Sequence, residues 1–286
     1  MAQTKQIKNR IKSIRNIGHI TKAMKTMALA AIRKIDEPLK MSRVYEDRVG
    51  RLLAKAMAIG TNKANPLLAQ RDGKSLLLVL LTSDTGFCGP FNQNVVRAGM
   101  EMLGGLTPGG DALIFALGRK SISSLGYRGI PLEYSFPLWK PEVATAADLL
   151  ARCTDIYLKG RADRVVFLHG KPSRGGESVS IGQETIFPIS FAQNACVLRD
   201  ETIVEPGKAE IFDFLLPAYL HARIYRLLLE TKFGELDNRI RSMTNATDNA
   251  EKLVSELTLK YFKARQEGIT QELLEIMSGA VALERD

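Results

Sequence analysis

The sequence predicts a central Rossmann-like α/β domain plus a long antiparallel coiled coil formed by the N- and C-terminal helices. Three observations carry this prediction. From Asn245 to Ala280 the residues NATDNAEKLVSELTLKYFKARQEGITQELLEIMSGA place apolar positions three and four apart, with no proline. Met1 to Ile35 shows a second pattern of this kind, with nine lysines and arginines and no acidic residue. Between the ends, short aliphatic runs of strand length alternate with helix-capable stretches, the grammar of a partly parallel sheet.

The first helix is expected within residues 1–60. Ile7, Ile11, Ile14, Ile17, Ile20, Met24, Met27, Ala31 and Ile35 recur in steps of three or four. That is a narrow seam, as on a helix wrapped around one partner helix, where a helix lying on a globular core would show a broader stripe. Pro38 should kink or end this helix, because it lacks an amide donor and clashes one turn back. The pattern resumes through Val44, Val49, Leu52, Leu53 and Met57, and Gly60, Asn62, Asn65 and Pro66 terminate it.

Residues 70–200 form the central domain. Leu76 to Leu81, Ala112 to Leu117 and Val165 to Leu168 have strand length, separated by helical stretches near Asn92 to Leu103 and Val143 to Leu158. An unbroken aliphatic run such as the first suits a strand covered on both faces. It is followed by SDTGFCGPFN, a glycine-bearing turn entering a helix, whose candidate residues are Ser83, Asp84, Gly86, Cys88, Gly89 and Asn92. Backbone amides at such a helix start can cradle phosphate. With neither GxGxxG nor GK[ST] present, a ligand-free βα turn organised by Asp84 is the expectation.

Catalytic constellations are thin. His19, His169 and His221 lie far apart outside any HExxH context, and no serine occupies a GxSxG elbow. The expectation is therefore no catalytic residue, no metal, no cofactor and no small-molecule ligand on this chain. Cys88, Cys153 and Cys196 have no ligand spacing, and an odd count argues against a disulfide framework; they read as small apolar residues in a reducing compartment.

The C-terminal helix is expected over 208–286, pairing with 1–60 as one discontinuous domain. Pro217 suits a position near its start. At about 1.5 Å per residue, Pro217 to Leu283 would span roughly 100 Å, longer than a compact domain of this size, so it should overshoot its shorter partner. Its seam reads Met243, Ala246, Ala250, Leu253, Leu257, Tyr261 and Ala264, then Ile269, Leu273, Ile276 and Ala280, with a register shift near Gly268. A helix-interior glycine costs about 1 kcal/mol against alanine, which suggests close backbone approach there, with simple tolerance as the other reading. The economical arrangement packs the middle domain at one end of the coil.

The formal net charge of +9 matches the nine bases before Ile35, so one element carries it. A basic coiled-coil nucleic-acid-binding protein is the alternative this charge raises. An Arg-rich, acid-poor start can also mark a transit peptide, but serines are sparse and the apolar pattern runs on without a cleavage-like break. The longest aliphatic run is far too short to cross a bilayer, so any membrane role would be peripheral.

KNRIKSIRNIGHITKAMKTMALAAIRK (Lys8 to Lys34), SDTGFCGPFN and LPAYLHARIYRLLLE (Leu216 to Glu230), with the C-terminal run quoted above, resemble the gamma subunit of F-type ATP synthases. The resemblance covers both ends and punctuates the middle; ITKAM and ARQEGITQELLEIMSGA are its most specific parts. It implies a rotor whose coiled coil stands inside the hexamer of alpha and beta subunits, with the α/β domain against the epsilon subunit and the membrane c-ring. Catalysis would belong to the alpha/beta interfaces, nucleic acid would have no part, and the complex would sit on the cytoplasmic side of a bacterial inner membrane.

The resemblance implies rotor contacts at Ile20, Thr21, Lys22, Met24 and Lys25 on the first helix and at Arg265, Gln266, Thr270, Gln271 and Glu272 on the last. An acidic loop of the beta subunit would press on the basic helix, and Ala28, Ala30, Ala31, Ala280 and Ala282 would smooth the axle. Many family members read TQKITKAM and SDRGLCGG where this chain has Ile17, Gly18 and His19, and Thr85, Phe87 and Pro90. The basic residue usual at position 85 is absent, which hints at a divergent paralogue. No closely spaced cysteine pair interrupts the middle, so thiol switching is not expected.

Overall fold

Six consecutive aliphatic residues form β1 (Leu76–Leu81), and all six are buried because both faces of the strand are covered. The computed structural model describes residues 2–58, 65–69, 71, 73–106, 111–172, 180–189 and 207–283. β1 is followed by α2 (Phe91–Gly104), β2 (Ala112–Leu117), α3 (Arg119–Tyr127), β3 (Tyr134–Phe136), α4 (Val143–Leu158), β4 (Arg164–Lys171) and β5 (Ser180–Phe187). α1 (Ala2–Ala58) precedes the series and α5 (Lys208–Leu283) closes it.

The strands make one sheet in the order β3-β2-β1-β4-β5. β1 runs parallel to β2 and β4, β3 is parallel to β2, and β5 is antiparallel to β4. This is the doubly wound arrangement, with the chain reversing direction across the sheet at β1. Alternation along β1 serves two cores. Leu76, Leu78 and Leu80 meet Phe91 and Val95 of α2 and Leu125 of α3. Leu77, Val79 and Leu81 meet Leu149 and Cys153 of α4 and Leu216, Leu220 and Leu227 of α5. Burial pushes the Cys153 thiol well above its usual range, so it packs as an inert apolar group; Cys196 lies outside the described residues.

The chain divides into two compact units, Leu29–Arg239 and a pair of helical segments, Met1–Ala28 with Ile240–Asp286. In the first unit, the inner parts of α1 and α5 pack with the sheet: Leu53 is fully buried beside the α5 leucines. Leu39, Ser42, Val49 and Ala56 are the other inward positions of α1 there, at steps of three, four or their sum.

Two prolines depart from the sequence reading. Pro38 does not end α1, and α5 is already under way at Lys208, so Pro217 lies well inside it. Both prolines are exposed, so the carbonyl that each deprives of an amide partner lies toward solvent, where water replaces the bond. Asn65 does mark a turn: its side chain accepts the Leu67 amide at 2.9 Å and its carbonyl the Leu68 amide at 3.0 Å.

Candidate functional site

Gly18 and Thr21 fix how the helical segments of the smaller unit pair. A Cβ on Gly18 would stand 3.6 Å from that of Ala250, and the Thr21 and Thr247 hydroxyls are 2.8 Å apart. Three residues forward on α1 are three residues back on α5, so the helices are antiparallel. Carried outward, this register sets Ile14, Ile11 and Ile7 against Val254, Leu257 and Tyr261, all partly buried.

The seam differs from the apolar count in the sequence. Ile17, Ile20 and Met27 are 52%, 59% and 63% exposed, whereas Thr21 and Ala28 are buried. Steps of three and four from Ile11 and Ile14 lead to Gly18, Thr21, Lys25 and Ala28, small residues apart from the half-buried lysine. On α5 the seam runs through Val254 rather than the exposed Leu253 and continues in register to the half-buried Gly268. No shift occurs there, and a Cβ on Gly268 would meet nothing within 4 Å, so this chain by itself makes no close approach to it.

In this register α5 beyond Gly268 lies past Ala2, the first described residue of α1. Residues 269–278 are exposed without exception, including Ile269, Leu273, Leu274, Ile276 and Met277. These apolar residues share one broad face of the helix, with Gln271, Glu272, Glu275 and Ser278 on the other.

The expected contact residues form two separate bands. Ile20 and Lys22 are exposed, Met24 and Lys25 half-buried, and Thr21 turns inward against Thr247, so it supports the surface without belonging to it. Arg265, Gln266, Thr270, Gln271 and Glu272 are all exposed, about 20 residues and hence roughly 30 Å further along the axis. Thr270 donates to its own helix carbonyl at Gln266 and Gln271 to Glu275, leaving both faces open. A groove of about 390 Å³ runs between the helices beside the first band, with Ile14, Ala250 and Val254 as its floor and Arg15, His19 and Lys22 along one wall.

The turn after β1 stands at the carboxyl end of the sheet, where open α/β folds bind ligands. Here its polar groups bond to one another. The Asn92 side chain accepts the Ser83 amide at 2.9 Å and donates to Ser83 Oγ at 2.7 Å and Cys88 Sγ at 3.0 Å. Asp84 Oδ1 accepts the backbone amides of Arg119 at 3.1 Å and Leu138 at 2.8 Å, tying three loops together. Buried Trp139 donates to Thr82 O at 2.8 Å, and Thr82 bonds Ser121, so the crevice at the ends of β1 and β2 is filled by side chains.

Gly89 takes a left-handed φ of 56° and Gly86 faces Lys120, whose Nζ would lie 3.9 Å from an added Cβ. Gly118, with φ 94°, abuts the Thr82 carbonyl, so a side chain there is excluded twice over. Sequence reading missed Arg239. From α5 it donates to Thr85 Oγ1 at 2.7 Å and toward Gly86 O at 3.3 Å, while Glu235 holds it at 2.7 Å. A basic residue at position 85 would meet this guanidinium, so Thr85 suits Arg239. Long-range docking of this kind leaves no local spacing signal.

Among the described residues no group of three or more His, Cys, Asp or Glu could hold a metal ion, and no helix is long and apolar enough to cross a membrane.

The profile of the family described as ATP synthase matches residues 3–283. The chain is 34% identical over 287 residues to the ATP synthase gamma chain of Trichlorobacter lovleyi, covering 99% of each. It is 31% identical over 303 residues to that of Chloroherpeton thalassium, covering 100% of this chain and 99% of the relative. Among solved structures, a chain of the Euglena gracilis mitochondrial ATP synthase (OSCP/F1/c-ring) matches 99% of this chain and 95% of its own length, with a TM-score of 0.69 and 17% identity. A chain of the Tetrahymena thermophila mitochondrial ATP synthase central stalk and c-ring matches 79% of this chain and 99% of its own, with a TM-score of 0.61 and 22% identity. At these identities the structural likeness speaks for the fold.

Proposed function

The chain belongs to the ATP synthase gamma-chain family, and on that premise we propose that it is the central-stalk rotor subunit of a rotary ATP synthase. One observation carries the reading: residues 269–278 of α5 are all exposed, with Ile269, Leu273, Leu274, Ile276 and Met277 on one broad face that no described residue of this chain covers. An exposed apolar face of that extent calls for an apolar surface to cover it. A ring of subunits supplies one while leaving the helix free to turn.

The partners are then the alpha and beta subunits around the helix pair, and the epsilon subunit and the membrane c-ring around the sheet domain. The band at Ile20, Lys22, Met24 and Lys25 and the second at Arg265, Gln266, Thr270, Gln271 and Glu272 contact the hexamer as it cycles. Exposed charge contacts contribute only tenths of a kcal/mol, roughly, which suits a sliding surface. The chain carries no catalytic site, cofactor or small-molecule ligand; ATP chemistry takes place on its neighbours. It takes no nucleic acid, and it is held peripherally at the cytoplasmic side of a bacterial inner membrane through the complex.

Co-expression with the alpha and beta subunits encoded beside it tests this. A copurifying complex whose ATPase activity depends on the chain is expected. Failure to assemble, together with salt-sensitive binding to DNA or RNA, would overturn the reading in favour of a basic coiled-coil nucleic-acid binder.

A further inference from the structure

We propose that His169 is a proton-sensitive wedge in the ionic cluster that ties α1 and α5 to the edge of the sheet, and that protonation of its ring loosens that tie. The inference concerns the sheet-bearing unit alone and stands whether or not the rotor reading does.

Arg226 on α5 is the hub of the cluster. It donates to Glu46 of α1, to both oxygens of Glu184 on β5 at 2.8 Å, and to Glu230 of its own helix at 2.9 Å. Arg43 of α1 reaches Glu230 at 2.8 Å, and Arg223 reaches Glu184 at 3.1 Å. Three guanidinium groups thus face three carboxylates. Burial opposes the charge on Arg226, but Glu46, Glu184 and Glu230 outweigh it and hold the group more firmly protonated than usual.

His169 of β4 lies inside this cluster with 2% of its side chain exposed. Its Nδ1 is 3.7 Å from Glu230 Oε2 and its Nε2 is 3.9 Å from Glu184 Oε1, in contact but outside hydrogen-bond range. Nδ1 is buried without any hydrogen-bond partner. The ring cannot retreat on the β5 side, where a Cβ on Gly182 would overlap it. The groups facing the cluster are therefore Glu184 from β5, Arg223, Arg226, Glu230 and the Tyr219 phenol from α5, and Arg43 and Glu46 from α1.

A neutral ring leaves each carboxylate to its arginines. A proton changes the contest. The imidazolium donates from both nitrogens, and charge-assisted N–H···O bonds close to about 2.7–2.9 Å. Movement of about 1 Å by Glu230 and Glu184 toward the ring draws them from Arg43, Arg223 and Arg226, weakening the bond that joins α1 to α5 and those that join α5 to the sheet. The balanced cluster also acquires one uncompensated positive charge beside Arg226.

Burial holds the His169 pKa below its ordinary 6.5, although Glu184, Glu230 and the Gly170 backbone pull it upward and Arg226 pushes it down. The sign follows from linkage. With the folded value depressed, the contribution of the neutral ring is fully present above pH 6.5 and is lost as the pH falls through the folded value.

The test follows the three histidines of the full-length chain by NMR between about pH 7.5 and 5, with His169 assigned from the His169→Asn variant. Thermal unfolding and hydrogen exchange of the α1 segment around Arg43 and Glu46 are recorded over the same range. His169 is expected to titrate below its midpoint in denaturant. The melting temperature should fall more steeply with acid in the parent than in His169→Asn, and exchange near Arg43 should rise only in the parent. A midpoint at or above the denatured value, or equal acid slopes in the two proteins, overturns the proposal. Should the variant fail to fold, titration and exchange in the parent decide, with His169 assigned by its contact to the Gly182 protons.

Discussion

Thr21 and Thr247 share a 2.8 Å hydrogen bond across a seam that is largely apolar from Ile7 to Gly18. Each hydroxyl also lies within reach of a carbonyl one turn back, Thr21 of Gly18 at 3.0 Å and Thr247 of Met243 at 2.8 Å, so one hydroxyl donates across the seam while the other donates to its own helix and accepts. A polar pair at a seam position penalises slipped registers, in which each hydroxyl would face an alkyl group. Thr21→Val or Thr247→Val alone should cost about 0.5–1.5 kcal/mol, and the double substitution less than the sum of the two. Urea unfolding of the four proteins in a double-mutant cycle measures the coupling. A coupling of zero would reduce the contact to coincidence.

Gly268 separates the propensity of a helix from the needs of its surroundings. In the chain itself a Cβ at this position meets nothing within 4 Å. Gly268→Ala should therefore stabilise the C-terminal part of α5 by up to about 1 kcal/mol, read as increased helicity and slower hydrogen exchange. If the rotating assembly brings another backbone against this position, the same variant will lower ATPase activity in the complex while still stabilising the free chain. A gain in both would show that the glycine is merely tolerated.

Arg226 holds three carboxylates at once, and its side chain is only 12% exposed. Arg226→Met should destabilise the sheet-bearing unit by about 3–5 kcal/mol, since it leaves buried charges without compensation. Replacing Arg226, Glu46 and Glu230 together with apolar residues should recover a large part of that loss, measurable by chemical denaturation. If the single variant costs no more than a surface substitution, the cluster is not a structural tie.

The acid limb of stability follows from the same groups. Burial raises the Glu184 pKa, but the charges of Arg226 and Arg223 more than offset this and bring it below 4.5. A depressed carboxylate contributes stability that is present above pH 4.5 and lost as the pH falls through the folded value. In Arg226→Met burial is less opposed, so the loss should begin at higher pH. Melting temperatures across this range in parent and variant measure the displacement.

How much of this was legible in the sequence depended on the range over which each signal acts. β1 and β2 were read to the residue, because a run of aliphatics between turn residues has few other uses, and the helix pairing followed from a periodicity that any window samples. The seam was misread at Ile17, Ile20, Met27 and Leu253, since counting apolar residues favours the largest ones. The heptad carried on from Ile11 and Ile14 lands on Gly18 and Thr21, where small residues allow the helices to approach. The large side chains beside them face outward, an arrangement that costs free energy unless another surface covers them. β3 was too short to register, and β5 mixes polar and apolar residues without a clean alternation. Arg239 on Thr85 and Arg226 on Glu46 and Glu184 join residues 154, 180 and 42 positions apart, so no local pattern announces them.

Lys22 and Lys25 bear most directly on function. Lys22 is exposed and lines the groove beside Gly18, while Lys25 occupies a seam position with its chain half-buried. Neither belongs to an ion pair within the helix pair among the described residues. Their charge is thus available to an acidic surface brought against the shaft. Reversing both, Lys22→Glu with Lys25→Glu, should cost the free chain about 1 kcal/mol, little of it from exposed Lys22 and most of it from half-buried Lys25. In the assembled enzyme it should weaken the coupling between ATP hydrolysis and ion transport, through repulsion from an acidic partner, and high salt should lessen the defect. ATP-driven ion pumping per ATP hydrolysed in membrane vesicles is the measurement. Unchanged coupling with intact assembly would remove these lysines from the contact surface and leave the apolar residues Ile17, Ile20 and Met27 to carry it.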